Sequence, residues 1–398
     1  MARLYLYIAL VILVAVVISV VYYVAVYRPM TSPEETTPSE TTPSKTSTQP
    51  TTPLNTSTTP STQTPKGKVV VYTYDSLLAC GKDPEKVYDM VFNEFTRRTG
   101  IEVEVVKFGS AGEAVAKVIG EFKSGNVRAD VIIGIDAINL IKAKEKGILE
   151  PYTPSNIDEI PDWLIQSFDP QHYAIPFDYG LIAFVYDRNY VSDDLMENLT
   201  FESFYNPDLG GTLVVEDPRT SSTGLNFLLY QITFYTKILG RDWREWWANV
   251  EPKVESGWSD AYDRFLNEEY HIVVSYGTDP AYSMYFYNNT RYGAALVKYN
   301  GKLYGWLQIE GIALVRNAPH KEAAKKFIDW FLSVEVQQYI PLNNWMYPAN
   351  SNVELPEVFS CAINMSNVEV INKYISIDEI GENLENWLDE WVDVMVSG

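Results

Sequence analysis

Hydrophobic and polar positions change their spacing several times along the chain, and each change marks an element. From Lys68 to Tyr74 the run Lys-Val-Val-Val-Tyr-Thr-Tyr is β-branched and aromatic, the pattern of a buried strand. Asp83-Pro84-Glu85 then supplies an N-cap, a first-turn proline and an early acid, predicting a helix to about Arg98 that Gly100 ends. Ile101 to Phe108 predicts a second strand, Glu113 to Lys123 a helix, Ala129 to Ile135 a third strand, and Ile138 to Lys146 a helix closed by Gly147. This alternation predicts an α/β class with a parallel sheet covered by helices on both faces. Ligands of such sheets lie beyond the carboxyl ends of the strands. Here those ends are Tyr74-Asp75-Ser76, Phe108 to Gly112 with Ala111 in it, and Gly134-Ile135-Asp136.

Further on, Tyr173 to Asp178 and Leu181 to Tyr186 predict two strands separated by Asp178-Tyr179-Gly180. Thr212 to Glu216 predicts a strand that feeds Asp217-Pro-Arg-Thr-Ser221-Ser222-Thr223-Gly224 into an apolar helix through Leu239. Such a helix start offers free backbone N–H groups to an anion, and ordinary capping by Ser222 or Thr223 accounts for the same residues. Trp258 to Leu266 predicts a helix and His271 to Tyr276 a strand. Around them Trp258, Tyr262, Tyr276 and Tyr282 stand beside Ser, Gly and Thr. Flat rings among hydroxyls suit a flat, polar, cationic small molecule, and they equally suit the core of a chain with 28 Tyr and 10 Trp. Tyr262 is read as core. Gln308 to Val315 predicts a strand and His320 to Leu332 a helix. Asn343 to Pro348 predicts a loop with exposed aromatics, and Ile377 to Val396 an acidic amphipathic helix packed on the domain.

The first residues belong to a different regime. Leu4 to Tyr27 carries no charge over about 24 residues, enough for a helix to cross a bilayer. No clear small-residue cleavage site follows, so residues 1–30 read as a retained transmembrane anchor, with a cleaved signal segment as the alternative. Residues 31–67, rich in Thr, Ser and Pro, bury too little apolar surface to order and predict an extended, O-glycosylated linker. Asn55, Asn198, Asn288 and Asn364 each fit the N-glycosylation pattern. Together these predict a glycoprotein tethered at the extracytoplasmic face of the membrane.

Charge narrows the function. Residues 1–68 hold five Lys or Arg against three Glu, so a net −21 for the chain puts −23 on the rest. That balance excludes a nucleic-acid partner, which needs a basic footprint. The two cysteines, Cys80 and Cys361, predict one disulfide in an oxidising exterior, the other reading being two buried thiols. No nucleophile elbow, zinc-protease motif, phosphate loop or dinucleotide fingerprint occurs, and three scattered His make no metal site. The expectation is a protein that is no enzyme and carries no cofactor.

Seven runs occur in one order along the domain. They are Tyr72-Thr-Tyr-Asp-Ser76; Ala129-Asp-Val131 with Gly134-Ile-Asp136; Pro176-Phe-Asp-Tyr-Gly180 with Ala183-Phe-Val-Tyr-Asp187; Asp217-Pro-Arg-Thr-Ser221; Gly257-Trp-Ser-x-Ala-Tyr262; Ser275-Tyr-x-Thr-x-Pro-Ala-Tyr282; and Asn344-Trp-Met-Tyr-Pro348. In these the chain resembles the thiamine-binding proteins of bacterial ABC importers. The resemblance implies a two-lobed periplasmic-binding-protein fold of type II. Lobe 1 would be residues 68–177 and 309–398, lobe 2 residues 178–308, and a Cys80–Cys361 bond would staple lobe 1. It further implies a monomer that closes on thiamine or thiamine phosphate and delivers it to an ABC permease.

By the same resemblance Tyr74 and Trp345 are apolar or stacking contacts and Tyr282 the ring-stacking tyrosine. Asp75 belongs to the first of these ligand-site runs. Ser221, Ser222, Trp258, Tyr276, Gly277, Thr278 and Asp279 are polar contacts. Ala111-Gly112 stands where the family offers an acid followed by glycine, and Asp279 where it has a small hydroxyl residue. Other readings are a ferric-iron or polyamine binder, and a thiamine-degrading transferase using Cys80 as nucleophile.

Overall fold

The computed structural model describes residues 67–397. The anchor, the linker up to residue 66 and Asn55 lie outside the described residues, and Gly67, expected in the linker, belongs to the first strand. Among the described residues no helix is long and apolar enough to cross a membrane.

The predicted alternation is present. Strand β1 (Gly67–Tyr74) leads to a helical stretch over residues 84–99 that Gly100 ends in the left-handed region. Strand β2 (Ile101–Phe108), helix α1 (Ala111–Ser124), strand β3 (Val131–Ile135) and helix α2 (Ala137–Glu145) follow. Asp136 caps α2 by accepting from Asn139 N–H at 2.8 Å. Ala111 and Gly112 form the first turn of α1, behind the Ser110 cap, so the helix begins before the predicted Glu113.

The expected pair of strands at residues 173–186 is a single strand, β4 (Ile175–Asp187). Asp178-Tyr179-Gly180 reads as a break, but Gly180 is needed in mid-strand. A Cβ there would lie 2.6 Å from Met346 Sδ. Strand β5 (Leu213–Glu216) feeds helix α3 (Ser222–Thr233), which Ser221, not Ser222 or Thr223, caps. Helix α4 (Arg244–Val250), strand β6 (Lys253–Glu255), helix α5 (Trp258–Leu266), strand β7 (Ile272–Tyr276) and helix α6 (Asp279–Tyr287) come next. Strand β8 (Lys302–Val315) begins well before the predicted Gln308 and precedes helix α7 (Lys321–Phe331), strand β9 (Tyr347–Pro348) and helix α8 (Ile377–Ser397).

Along the sheet the order is β2-β1-β3-β8-β4-β7-β5-β6. The β2-β1-β3 flank is parallel, as predicted, and so is the β7-β5-β6 flank, but β8 and β4 run antiparallel to each other and to their outer neighbours. The sheet is therefore mixed. Because β4 and β8 are 13 and 14 residues long, they contribute to two hydrophobic cores. Phe177, Ile309 and Ile312 join the core under β1, β3 and α7, whereas Phe184 and Trp306 join one built on α3, Trp246 and Trp247. Helix α8 closes the second core, setting Trp391 edge-on against Trp247 at 5.6 Å.

Two expectations are corrected. Trp345, Met346 and Tyr347 are buried, because residues 343–348 fold inward and β9 pairs with β4. Cys80 and Cys361 are free and exposed, so the predicted disulfide is absent. Trp345 supplies the tie instead. Its indole N–H donates to the Cys80 carbonyl at 3.0 Å, and its ring lies parallel to Phe359 at 6.3 Å.

Candidate cation-binding site at the crossing of the long strands

Strand alternation puts residues two apart on one face, so Gln308 and Glu310 of β8 share a face, as do Asp178 and Gly180 of β4. The register pairs Glu310 with Asp178 and Gln308 with Gly180. Tyr74, at the carboxyl end of β1, donates its hydroxyl to Glu310 Oε2 at 2.7 Å. Gly134, at φ 96°, leaves room for the Tyr74 ring, since a Cβ there would lie 2.4 Å from it. Asn344 donates one amide to the Tyr74 hydroxyl at 3.0 Å and to Asp178 Oδ2 at 2.6 Å. Tyr276 donates to Gln308 Oε1 at 2.9 Å and meets the Thr223 hydroxyl at 3.2 Å. A polar row thus crosses the sheet from Asp178 through Tyr74 and Glu310 to Tyr276 and α3.

This row is rich in acid and poor in cations. Asp178 is fully buried and its Oδ1 has no hydrogen-bond partner. Burial raises its pKa far above the carboxylate range, and the Glu310 charge raises it further. Glu310 is itself lifted to about 7, chiefly by burial, with the Tyr74 hydroxyl pulling the other way. Like charges facing each other across a strand pair disfavour double ionisation, so the pair holds a proton near neutrality. Asp136, at the end of β3, is also raised by burial and receives the Ser222 hydroxyl at 3.2 Å. Among the described residues no lysine or arginine is ion-paired with any of these three. Unneutralised buried acids cost stability, and a cation brought in from solvent would recover it.

Rings stand at the far end of the row. Trp258 opens α5, is 37% exposed, stacks on Tyr262 at 4.8 Å and donates its indole N–H to Ser275 Oγ at 2.9 Å. Thr278 is fully buried and donates to the Trp345 carbonyl at 2.7 Å. Tyr282 meets Trp345 edge to face at 5.1 Å. Gly277 packs on Ile363, a Cβ there lying 3.0 Å from its Cδ1. Asp279, the first residue of α6, is buried with Oδ2 unpartnered. Burial lifts its pKa to about 7 against a hydrogen bond from Ser275.

The structure thus joins Tyr74, Ser222 and Tyr276 to the acidic row, and Trp258 and Asp279 to Ser275. Tyr282 and Trp345 meet in a ring cluster, which Thr278 joins through the Trp345 carbonyl. Gly112 is near Asn139, and Ala111 lies beside Gly134. Asp75 is exposed beyond the row, its carbonyl accepting from Lys107. Sequence reasoning gave no site role to Asp178, Glu310, Gln308 or Asn344. For Asp178, Gln308 and Glu310 the signal is a polar residue interrupting an otherwise apolar strand, and the same spacing joins Gln308 to Glu310; Asn344 lies between a short helix and β9. Among the described residues no group of three His, Cys, Asp or Glu could hold a metal ion.

Residues 81–338 match the profile of the bacterial extracellular solute-binding proteins. The thiamine-binding periplasmic protein of Escherichia coli is 30% identical over 332 residues, covering 82% of this chain and 93% of that protein. Its counterpart in Brucella melitensis is 30% identical over 329 residues, covering 82% and 92%. A solved periplasmic thiamin-binding protein superposes with a TM-score of 0.66 at 29% identity, covering 82% of this chain and 96% of that one. A Trichodesmium protein in complex with iron and citrate reaches 0.64 at 20% identity, over 82% and 99%, a likeness of fold alone. With the profile covering more than half its length and relatives at this identity spanning nearly their whole length, the chain belongs to the bacterial extracellular solute-binding proteins, in the family of the thiamine-binding periplasmic proteins.

Proposed function

We propose that this protein captures thiamine outside the cytoplasm and delivers it to an ABC importer. The observation that carries the reading is the pair Asp178, fully buried, and Glu310, partly buried, which face each other with no lysine or arginine ion-paired to either among the described residues. Thiamine brings a thiazolium charge and an aminopyrimidine donor on two flat rings. Carboxylates suit the charge and donor, and aromatic faces such as Tyr74 and Tyr282 suit the rings. The acid absent at Ala111 has a substitute in this row. Trp258, Ser221, Ser222 and the turn Tyr276-Gly277-Thr278 would receive the hydroxyethyl end.

In this reading residues 68–177 with 309–398, and residues 178–308, are two lobes that close about β4 and β8. A membrane anchor and a solvated linker tether a monomer, and exposed Asn198, Asn288 and Asn364 are open to glycans. Iron capture needs ionised phenols. Burial raises the Tyr276 phenol, and its hydroxyl is already committed to Gln308. Although the residue is exposed, desolvation of its sulfur, and then the Asp75 charge, raise the Cys80 thiol, which disfavours a nucleophilic role. Native mass spectrometry of the purified chain tests the reading. A bound mass equal to thiamine supports it, and a bound iron or polyamine mass with no thiamine retention refutes it.

A further inference from the structure

Glu216 and Asp279 flank the start of α3 and play no part in the acidic row described above. Glu216 ends β5, is fully buried, and neither of its carboxylate oxygens has a hydrogen-bond partner. The first turn of α3 packs directly on it, since a Cβ at Gly224 would lie 2.5 Å from the Glu216 carbonyl oxygen and 3.0 Å from its Cβ. Asp279 is nine-tenths buried, and its free Oδ2 leaves half of its carboxylate unsatisfied. The two acids feel each other, for the Asp279 charge adds to the burial that lifts Glu216. Asp279 is also tied to Ser275, whose hydroxyl receives the Trp258 indole, and to Tyr276, whose hydroxyl meets Thr223 of α3. Glu216 therefore lies under the first turn of α3, and Asp279 is linked to that turn through Tyr276 and Thr223.

A helix start normally welcomes an anion, because its N–H groups carry about half a positive elementary charge. Two unpartnered carboxyl groups at that start can outweigh it once either ionises. We infer that Glu216 and Asp279 form an anion filter at the hydroxyethyl end of the site, admitting thiamine as the free alcohol and rejecting its phosphate esters. The inference rests on thiamine capture and adds the phosphorylation state of the ligand. A neutral hydroxyl can donate to either carboxylate, whereas a phosphate oxygen adds like charge to a site already short of cations.

Calorimetric titration of the full chain with thiamine and with thiamine monophosphate at pH 8 tests this. The filter predicts that thiamine binds about tenfold tighter or more. Asp279→Asn and Asp279→Ser are expected to shrink that ratio by tightening the monophosphate, and Glu216→Gln to shrink it too. The wild-type ratio needs no variant to fold. Thiamine binding with equal or tighter monophosphate binding, or a ratio unchanged in folded Asp279→Asn, overturns the filter alone. Binding of neither ligand overturns thiamine capture and the filter with it.

Discussion

Replacing Glu310 by Gln should stabilise the empty protein and weaken its hold on thiamine. Gln keeps an oxygen to accept the Tyr74 hydroxyl but carries no charge to bury. Glu310 has its pKa raised from 4.5 to about 7, with burial the main cause. The folded protein therefore keeps a proton that the unfolded chain releases between those values. Below this window both states are protonated and the residue is neutral to stability. As pH rises through it the folded state loses stability, and above about 7 the whole penalty is present. Each unit is worth about 1.4 kcal/mol, so the penalty is about 3 kcal/mol at pH 8, or roughly 6 °C in Tm. Melting curves from pH 4.5 to 8 should show the variant and wild type together at the acid end and the variant higher at the alkaline end. At pH 8 thiamine affinity should fall about tenfold or more, since the carboxylate that meets the cation is gone. A variant that melts below wild type at pH 8 and binds thiamine equally well would refute the reasoning. Glu310 would then be an ordinary acceptor for Tyr74.

Trp345→Ala should cost about 3–5 kcal/mol, read as a lower Tm, because it opens a cavity among Tyr282, Tyr285, Phe286 and Phe359 and frees the Cys80 carbonyl. Tyr282→Ala should weaken thiamine by about tenfold whereas Tyr282→Phe should retain it, since the ring face is what counts; calorimetry separates the two. Trp391→Ala should lower Tm by a similar loss of packing, removing the edge that closes on Trp247. A thiol reagent should titrate both exposed cysteines in the folded chain, Cys80 more slowly because desolvation of its sulfur and the Asp75 charge raise its thiol. An intact mass lower by two hydrogens would show a disulfide instead.

Much of the fold is legible in the sequence because local signals and tertiary structure agree. Val69 to Val71, Asp83-Pro84, Gly100 and Gly147 each mark the element end or core run that forms there. Disagreement arises where a distant neighbour decides. Gly180 looks like a strand break until Met346 arrives against it, and Trp345 looks exposed until residues 343–348 turn inward. Nor does spacing reveal that β4 and β8 run antiparallel through two cores, because an apolar strand reads alike in either direction. The aromatic half of the candidate site shows in composition and motif order. The acidic half does not. Asp178, Glu310 and Asn344 come from distant parts of the chain, and their meaning lies in two facing acids without a cation, which Asn344 ties to Tyr74 once the sheet brings them together.

The most direct measurement is a calorimetric titration of thiamine into the purified full chain at pH 8, with tryptophan fluorescence followed alongside. Thiamine capture by the acidic row predicts a single saturable site of micromolar affinity or tighter, with a fluorescence change and a marked loss in Glu310→Gln. No heat with thiamine, together with a visible tyrosinate absorption band on adding ferric iron, would contradict the account.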